Sequence, residues 1–232
     1  MGKTFDFLYQ ANLTGFTNPL GNPITAPTGF NTAFNTGGFE LTFVAKIPEI
    51  QINAISPTFP QTASFATNGP GQWAIYYDSA TQGGNKSSVP LGTGFNDGTL
   101  IANGHFVVGE VTSGFLSTSL VPPQGVGGFI IHGLVDSYDP TFISLDEATG
   151  LPIFDLRLEG TINIPALDST TVSFFDGNDG FAVTPADAVD DLLFKVDSSS
   201  KFSVQVPEPS SFILMGLGLL GAAGFVRRRK NP

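Results

Sequence analysis

The chain contains only two histidines, His105 and His132, and histidine is the side chain best suited to act as a general base or metal ligand near neutral pH. Each lies in a stretch that alternates apolar and polar residues, TLIANGHFVVGEV (99–111) and VGGFIIHGLVDSY (126–138). Such alternation is typical of a β-strand, so we interpret both histidines as ordinary sheet residues. The Gly-x-Ser-x-Gly elbow of serine hydrolases and the phosphate-binding P-loop pattern Gly-x4-Gly-Lys-Ser/Thr are both missing from the sequence.

Four carboxylates are nominal candidates for glycoside hydrolysis, a reaction that uses two acids facing each other across a cleft. They are Glu110, Asp136, Asp155 and Glu159. Solvated strand faces account for all four without any catalytic role. We therefore predict that the chain is not an enzyme, and a glycosidase is the third hypothesis for its function.

Calcium is the metal that suits an acidic chain without cysteine, because oxygen ligands can hold long loops in place. The segment FDGNDGF (175–181) places Asp176, Asn178 and Asp179 around two glycines. It lacks the later Glu and the regular spacing of an EF-hand, and a plain Asx turn is the alternative interpretation. Asn96-Asp97-Gly98 is a weaker candidate. Apart from this calcium candidate, we expect no cofactor.

A sugar-binding surface is a second class of hypothesis, because aromatic faces on a sheet can stack on pyranose rings. By the two-residue period of a strand, WAIYY (73–77) places Trp73 and Tyr77 on one face and Tyr76 on the other. If the first face is exposed, Trp73 and Tyr77 form a platform for a glycan. The alternative is that both side chains line the core.

The charge distribution excludes one class of partner. The formal net charge is −10, but four of the ten Lys and Arg residues stand at 227–230. Six basic residues and nineteen acidic residues precede Val206, so the body carries −13. Such a surface repels phosphate backbones, and we expect no nucleic-acid partner.

Short stretches of strand character must position all these side chains. Val, Ile, Phe, Thr and Tyr recur in short runs bounded by Gly, Pro and Asn, and no sustained helical period precedes Ser210. The pattern predicts an all-β body over residues 1–205, an antiparallel β-sandwich or jelly roll. The predicted strands begin with TFDFLYQANL (4–13) and continue with 39–47, 50–55, 73–77, 99–111, 126–138, 151–164, 170–175 and 192–206.

A second unit, 206–232, has three ordered parts. The motif VPEPSS occupies 206–211, an uncharged segment follows over 212–226, and Arg227, Arg228, Arg229 and Lys230 close the chain. As a helix, fifteen residues span about 22 Å, slightly less than the usual membrane crossing. Clustered cations beside it mark the cytoplasmic side, which places the body outside. We therefore predict a short transmembrane helix over 212–226.

These three parts closely resemble the PEP-CTERM sorting signal of exported bacterial proteins. The resemblance covers roughly the last 26 residues, and it implies recognition by exosortase, a membrane transpeptidase thought to cut near the motif. By that resemblance Val206, Pro207, Glu208 and Pro209 form the recognition motif, and the catalysis belongs to exosortase. More loosely, TLIANGHFVVGEV and DDLLFKVDSSSKFSVQV (190–206) look like the bodies of flocculation-associated PEP-CTERM proteins.

The resemblance implies an exported protein, transiently anchored in the inner membrane and then displayed at the cell surface or in the matrix. Residues 1–30 contain no signal-peptide apolar run, so we expect the true start to lie upstream. The leading expectation is a structural or adhesive protein of the exopolysaccharide matrix, with exosortase, the membrane and matrix glycan as partners. A carbohydrate-binding module is the alternative.

Overall fold

A computed structural model describes residues 2–18, 20, 22–55, 58–82, 84–88, 92–120, 123–143, 153–164 and 195–204. Eleven strands form within this part of the chain, with two single-turn 3₁₀ helices at Phe34–Thr36 and Ala80–Gln82. The strands are β1 (Thr4–Asn12), β2 (Phe16–Thr17), β3 (Pro23–Ile24), β4 (Phe39–Gln51), β5 (Gln61–Thr67), β6 (Gln72–Ser79), β7 (Thr99–Phe106), β8 (Val111–Leu120), β9 (Pro123–Tyr138), β10 (Ile153–Ile164) and β11 (Lys195–Val204). The all-β prediction is confirmed.

Nine of these strands form one antiparallel sheet that curls on itself. The pairings β4–β6–β7–β9–β8–β5–β4 close a ring, β1 extends it at β4, and β10 and β11 extend it at β9. Strands β1, β4 and β6 face β9, β10 and β11 across the core, as the ring contacts Tyr9–Phe129 and Trp73–Phe202 show. The two layers expected of a sandwich are therefore joined by hydrogen bonds into a single sheet.

The long strand β4 joins two neighbours along one edge. It pairs with β6 over Phe39–Lys46 and with β5 over Glu49–Gln51. Pro48 lies between these stretches, where its carbonyl accepts a hydrogen bond from the Asn68 amide at 2.8 Å. Proline has no backbone N–H to donate to a neighbouring strand. A strand interior therefore tolerates it at a position where the pairing changes from one neighbour to the next.

The core fills the concave side of the curled sheet. Trp73 is fully buried, with its ring stacked on Phe43 at 6.1 Å between centroids and tilted against Phe202 at 5.9 Å. Gly104 and Gly133 make room for the indole, because a Cβ at either position would lie within 3 Å of it. The other buried apolar members of this cluster are Phe7, Tyr9, Ala45, Ile47, Ile75, Ile101, Ala102, Phe106, Phe129, Ile131, Leu156, Leu158 and Ile162.

A smaller apolar cluster lies on the opposite face of β4 and β6. Val44, Ala74 and Tyr76 pack there under Phe95. Phe95 belongs to residues 84–88 and 92–98, which we call the covering loop. The Thr42 hydroxyl donates to the Phe95 carbonyl at 2.7 Å and holds the loop against the strands.

Candidate functional site

Two buried carboxylates lie side by side on β4 and β6, at one end of the face that the covering loop covers. We call this face the covered surface. Glu40 on β4 lies directly opposite Asp78 on β6 in the strand register. Their exposed fractions are 0% and 1%. Like charges directly opposite each other destabilise a sheet, and burial adds the cost of removing each charge from water. The position must therefore be compensated by other groups.

Glu40 has such compensation. Its Oε2 accepts a hydrogen bond from Asn12 Nδ2 at 2.6 Å, and its Oε1 accepts one from the Ser87 amide at 2.5 Å. Both donors come from elements packed around the end of β4, namely β1 and the covering loop. Glu40 therefore connects strand and loop.

Asp78 has no equivalent set of donors. Within the described chain, neither carboxylate oxygen of Asp78 has a partner in hydrogen-bonding geometry, and both are shielded from solvent. Burial, followed by the charge and contact of Asp97 and the charge of Glu40, raises the pKa of Asp78 to about 7, although the Ser79 amide opposes this rise.

The covering loop approaches Asp78 closely because two of its residues are glycines. A Cβ on Gly84 would lie 1.5 Å from Asp78 Oδ1, and one on Gly98 would lie 3.0 Å from Asp78 Cβ. Asp97 reaches the same carboxylate from the exposed side, with its own Oδ2 accepting from the Asn85 amide and Nδ2, both at 3.0 Å. Asp78 is therefore buried, whereas its neighbour Asp97 is exposed.

A third buried acid, Glu49, lies farther along β4 and is 2% exposed. Burial raises its pKa, and hydrogen bonds from Thr112 and Ser113 lower it in part. The Thr112 hydroxyl donates to Glu49 Oε1 at 2.5 Å. This arrangement joins β4 to β8.

The two histidines lie on adjacent strands and each contacts a carboxylate. His105 Nδ1 lies 2.8 Å from Asp136 Oδ1, and His132 Nδ1 lies 2.8 Å from Glu110 Oε2. All four side chains are partly exposed, so each pair contributes at most about 1 kcal/mol to stability. Both histidines lie in strands, as their interpretation as ordinary sheet residues predicts.

The four carboxylates considered for glycoside hydrolysis do not form a facing pair in a described cleft. Glu110 and Asp136 contact the histidines, and Glu159 forms an ion pair with Arg157 at 2.7 Å. A shallow groove of about 820 Å³ crosses β8, β9, β10 and β11, and Glu159 is the only one of the four that lines it. A smaller pocket of about 220 Å³ is lined by Asp136 and His105.

The structure corrects the prediction of a Trp73–Tyr77 sugar platform. Trp73 is 0% exposed, and Tyr77 is stacked on Phe39 at 5.2 Å and packed against Phe142 at 4.8 Å. The two rings share a face, as the strand period predicts, but that face points into the core. The alternative interpretation, core packing, describes them correctly.

The remaining predicted site residues lie outside the described residues. They are the calcium candidates Asp176, Asn178 and Asp179, the motif Val206, Pro207, Glu208 and Pro209, and the cations Arg227, Arg228, Arg229 and Lys230. The predicted helix over 212–226 also lies there. In the part of the chain that the structure covers, no helix is long and apolar enough to cross a membrane.

No group of three or more His, Cys, Asp or Glu side chains has the geometry of a metal site in the described ranges. Among the described residues, Asp78 and Asp97 therefore form a pair of carboxylates without a third such side chain in metal-binding geometry.

Sequence reasoning missed Glu40 and Asp78 altogether. The available signal was an acid near one end of each of two apolar strands, FELTFVAKI and WAIYYDS.

Strand β11 ends at Val204, and the C-terminal segment begins at the next residue. Residues 205–230 match the PEP-CTERM protein-sorting motif. The sorting signal expected from the three ordered parts is thereby confirmed, and it marks an exported protein that is handled by exosortase and transiently anchored at the membrane. No curated protein and no solved structure matches the chain.

Proposed function

We propose that this chain is a structural or adhesive protein of the bacterial envelope or extracellular matrix, released to its final location when exosortase processes its C-terminal signal. The observation that carries the proposal is the match of residues 205–230 to the PEP-CTERM protein-sorting motif. In its narrower form, the proposal gives the body a part in cell aggregation within exopolysaccharide, as in flocculation-associated proteins.

The chemistry of the motif explains how a processing enzyme would recognise it. Pro207 and Pro209 lack amide donors and hold Glu208 in an extended backbone, so the segment cannot join a helix or a sheet interior. Its remaining polar groups are left for the enzyme to bind. The uncharged segment 212–226 holds the substrate in the membrane, and Arg227 to Lys230 keep its end at the cytoplasmic face.

The body supports a structural role through its surface. The groove across β8 to β11 is flanked by the exposed side chains of Val111 and Ile130, and Val126 is exposed nearby on β9. Exposed apolar residues beside a row of small ones suit contact with another macromolecule. The carbohydrate-binding alternative loses its main support, because the Trp73 ring is in the core.

The test replaces Pro207-Glu208-Pro209 with three alanines in the native cells. We expect the native protein to lose the tail by intact mass and to leave the inner membrane, and the variant to stay uncut in that membrane. The matched control replaces Asp139-Pro140-Thr141, a half-buried acid followed by an exposed proline and threonine outside the signal, and should be processed normally. A native protein that keeps its tail, with or without the three alanines, would make the segment a plain anchor.

A further inference from the structure

The unpartnered carboxylate of Asp78 is the least explained feature of the described structure. It is 1% exposed, faces the buried Glu40 across two paired strands, and contacts a third carboxylate, Asp97. Three acids therefore converge on one end of the covered surface. By strict hydrogen-bonding geometry neither Asp78 oxygen has a partner among the described residues, although the Ser79 amide and the Asp97 carboxyl lie close enough to affect its pKa.

The cation of the same loop does not compensate for this charge. Lys86 Nζ is directed instead to the carbonyls of Asn31 and Thr32, at 3.4 and 3.3 Å, and over the ring of Phe34. None of the ion pairs found in the described ranges includes Glu40, Asp78 or Asp97. This end of the covered surface therefore has an excess of acceptors, which a bound cation would satisfy.

We propose that Asp78 and Asp97 bind one Ca²⁺ ion between β6 and the covering loop. Asp78 is the buried ligand, and the exposed Asp97 admits the ion from solvent. A second shielded acceptor without a partner, Asn12 Oδ1, lies at the Glu40 end, where Asn12 Nδ2 contacts that carboxylate. The inference stands apart from the proposed function.

The ligand chemistry selects calcium over other metals. This end of the covered surface offers oxygen atoms without cysteine or histidine, which excludes a typical zinc site. Two carboxylates fall short of a complete protein cage, and Ca²⁺ accepts carbonyl, amide and water oxygens in a flexible shell of six to eight ligands. Mg²⁺ demands near-octahedral geometry at shorter distances. We expect an affinity in the range of roughly 0.1–1 mM that is found in extracellular modules.

Gly84 and Gly98 fit this assignment. They bring the loop backbone against Asp78, where the side chain of any other residue would collide with strand β6. The same closeness predicts that an ion would fasten the covering loop to β6. Binding should therefore stabilise the folded chain rather than merely occupy its surface.

The experiment follows thermal unfolding of the full chain in mild detergent at pH 8, using the fluorescence of its single tryptophan. We expect 10 mM Ca²⁺ to raise Tm by roughly 3–10 °C relative to EDTA, and calorimetry to show saturable heat. Asp78→Asn and Asp97→Asn should lose most of this response. Asp139→Asn, which changes a half-buried acid away from Asp78 and Asp97, should keep it.

Asp97→Asn decides the matter if Asp78→Asn fails to fold, because Asp97 is exposed and asparagine still accepts from Asn85. Three outcomes would overturn the proposal. They are a wild-type chain indifferent to Ca²⁺, an equal response to Mg²⁺, and a calcium response that both asparagine variants retain. The first, combined with an Asp78→Asn variant more stable than wild type in either solution, would indicate a proton shared between the two aspartates.

Discussion

The buried acids of β4 show that a few neighbouring hydrogen-bond donors decide the free-energy cost of burying a carboxylate. Glu40 and Glu49 are both nearly inaccessible to solvent, yet each receives hydrogen bonds from a neighbouring element. Asp78, opposite Glu40 in the strand register, receives no such hydrogen bond from any neighbouring element that the structure describes. The difference separates two acids with a structural explanation from one that points to a ligand.

Removing the hydroxyl that serves Glu49 should be costly. We expect Thr112→Val to lower the free energy of unfolding by about 1–3 kcal/mol, because it leaves a buried carboxylate without its closest donor. Urea denaturation at pH 8 measures the change.

The matched control for this substitution is Thr141→Val. The Thr141 hydroxyl also donates to a carboxylate, that of Asp139, at 2.5 Å, but Thr141 is exposed and Asp139 is only half-buried. Water replaces the lost bond there, so the change should stay within about 0.5 kcal/mol. Equal losses in the two variants would show that burial of Glu49 does not determine the effect.

At the scale of elements, β4 and β9 hold the sheet together because each is long enough to pair with two strands along one edge. Strand β9 pairs with β8 over Pro123–Phe129 and with β7 over Gly133–Tyr138. Between them, the His132 carbonyl accepts from the Val107 amide at 2.9 Å. The change of partner on β9 thus mirrors the one at Pro48 on β4, and together they close the ring.

Strand glycines are not equivalent within this sheet. A Cβ on Gly104 in β7 would lie 1.9 Å from the Leu134 carbonyl oxygen and 2.6 Å from the Trp73 ring. We expect Gly104→Ala to lower the free energy of unfolding by about 2–3 kcal/mol or more, since both obstacles belong to the packed core. Circular dichroism during urea denaturation reports the loss.

Gly114→Ala in β8 is the control for Gly104→Ala. Its nearest neighbour to a new Cβ is the Ala63 carbonyl oxygen at 4.0 Å, which is ordinary contact. Alanine should therefore be neutral, or stabilising by up to about 1 kcal/mol, because it restricts the unfolded chain. A large loss at Gly114, or none at Gly104, would contradict the described packing of β7 on Trp73.

The whole molecule combines an acidic body with a basic end. The full chain carries −10, whereas residues 1–205 carry −13. Processing near the motif removes the four cations at 227–230, and the product becomes more acidic by three or four formal charges, depending on whether Glu208 remains. Electrostatic repulsion keeps proteins of such a large negative net charge apart, and divalent cations can reduce that repulsion.

Isoelectric focusing should detect this change. We expect the form released by native cells to focus at a lower pH than the membrane-bound form with three alanines at 207–209. Treatment of both samples with the same detergent and EDTA removes differences due to bound ions. If the two forms focus together, the basic end has not been removed.

The sequence by itself determined the class of the body and the nature of its end. Alternation over a few residues is a local property, so β1, β6, β9 and β10 were anticipated with small errors at their ends. The sorting signal is a linear pattern of prolines, apolar residues and cations. It can be read from the sequence without knowledge of the fold, because its three parts follow one another along the chain.

Local patterns failed where the outcome depended on distant residues. The predicted strand 99–111 is divided by a turn at Gly109 into β7 and the start of β8, and two predicted strands merge into β4 through Pro48. Strand β5 was not anticipated, because its mixture of small and polar residues carries little alternation of its own. Backbone pairing with β4 and β8 forms this strand, although its own sequence does not predict one.

Only the tertiary structure decided which side of each strand is inside and which acids meet. The period of two places Trp73 and Tyr77 on one face, but the curl of the whole sheet directs that face to the core. Glu40 and Asp78 become neighbours through the register of β4 on β6, and Asp97 joins them through the covering loop. Such encounters depend on the summed pairing of many residues, so no short stretch of sequence contains them.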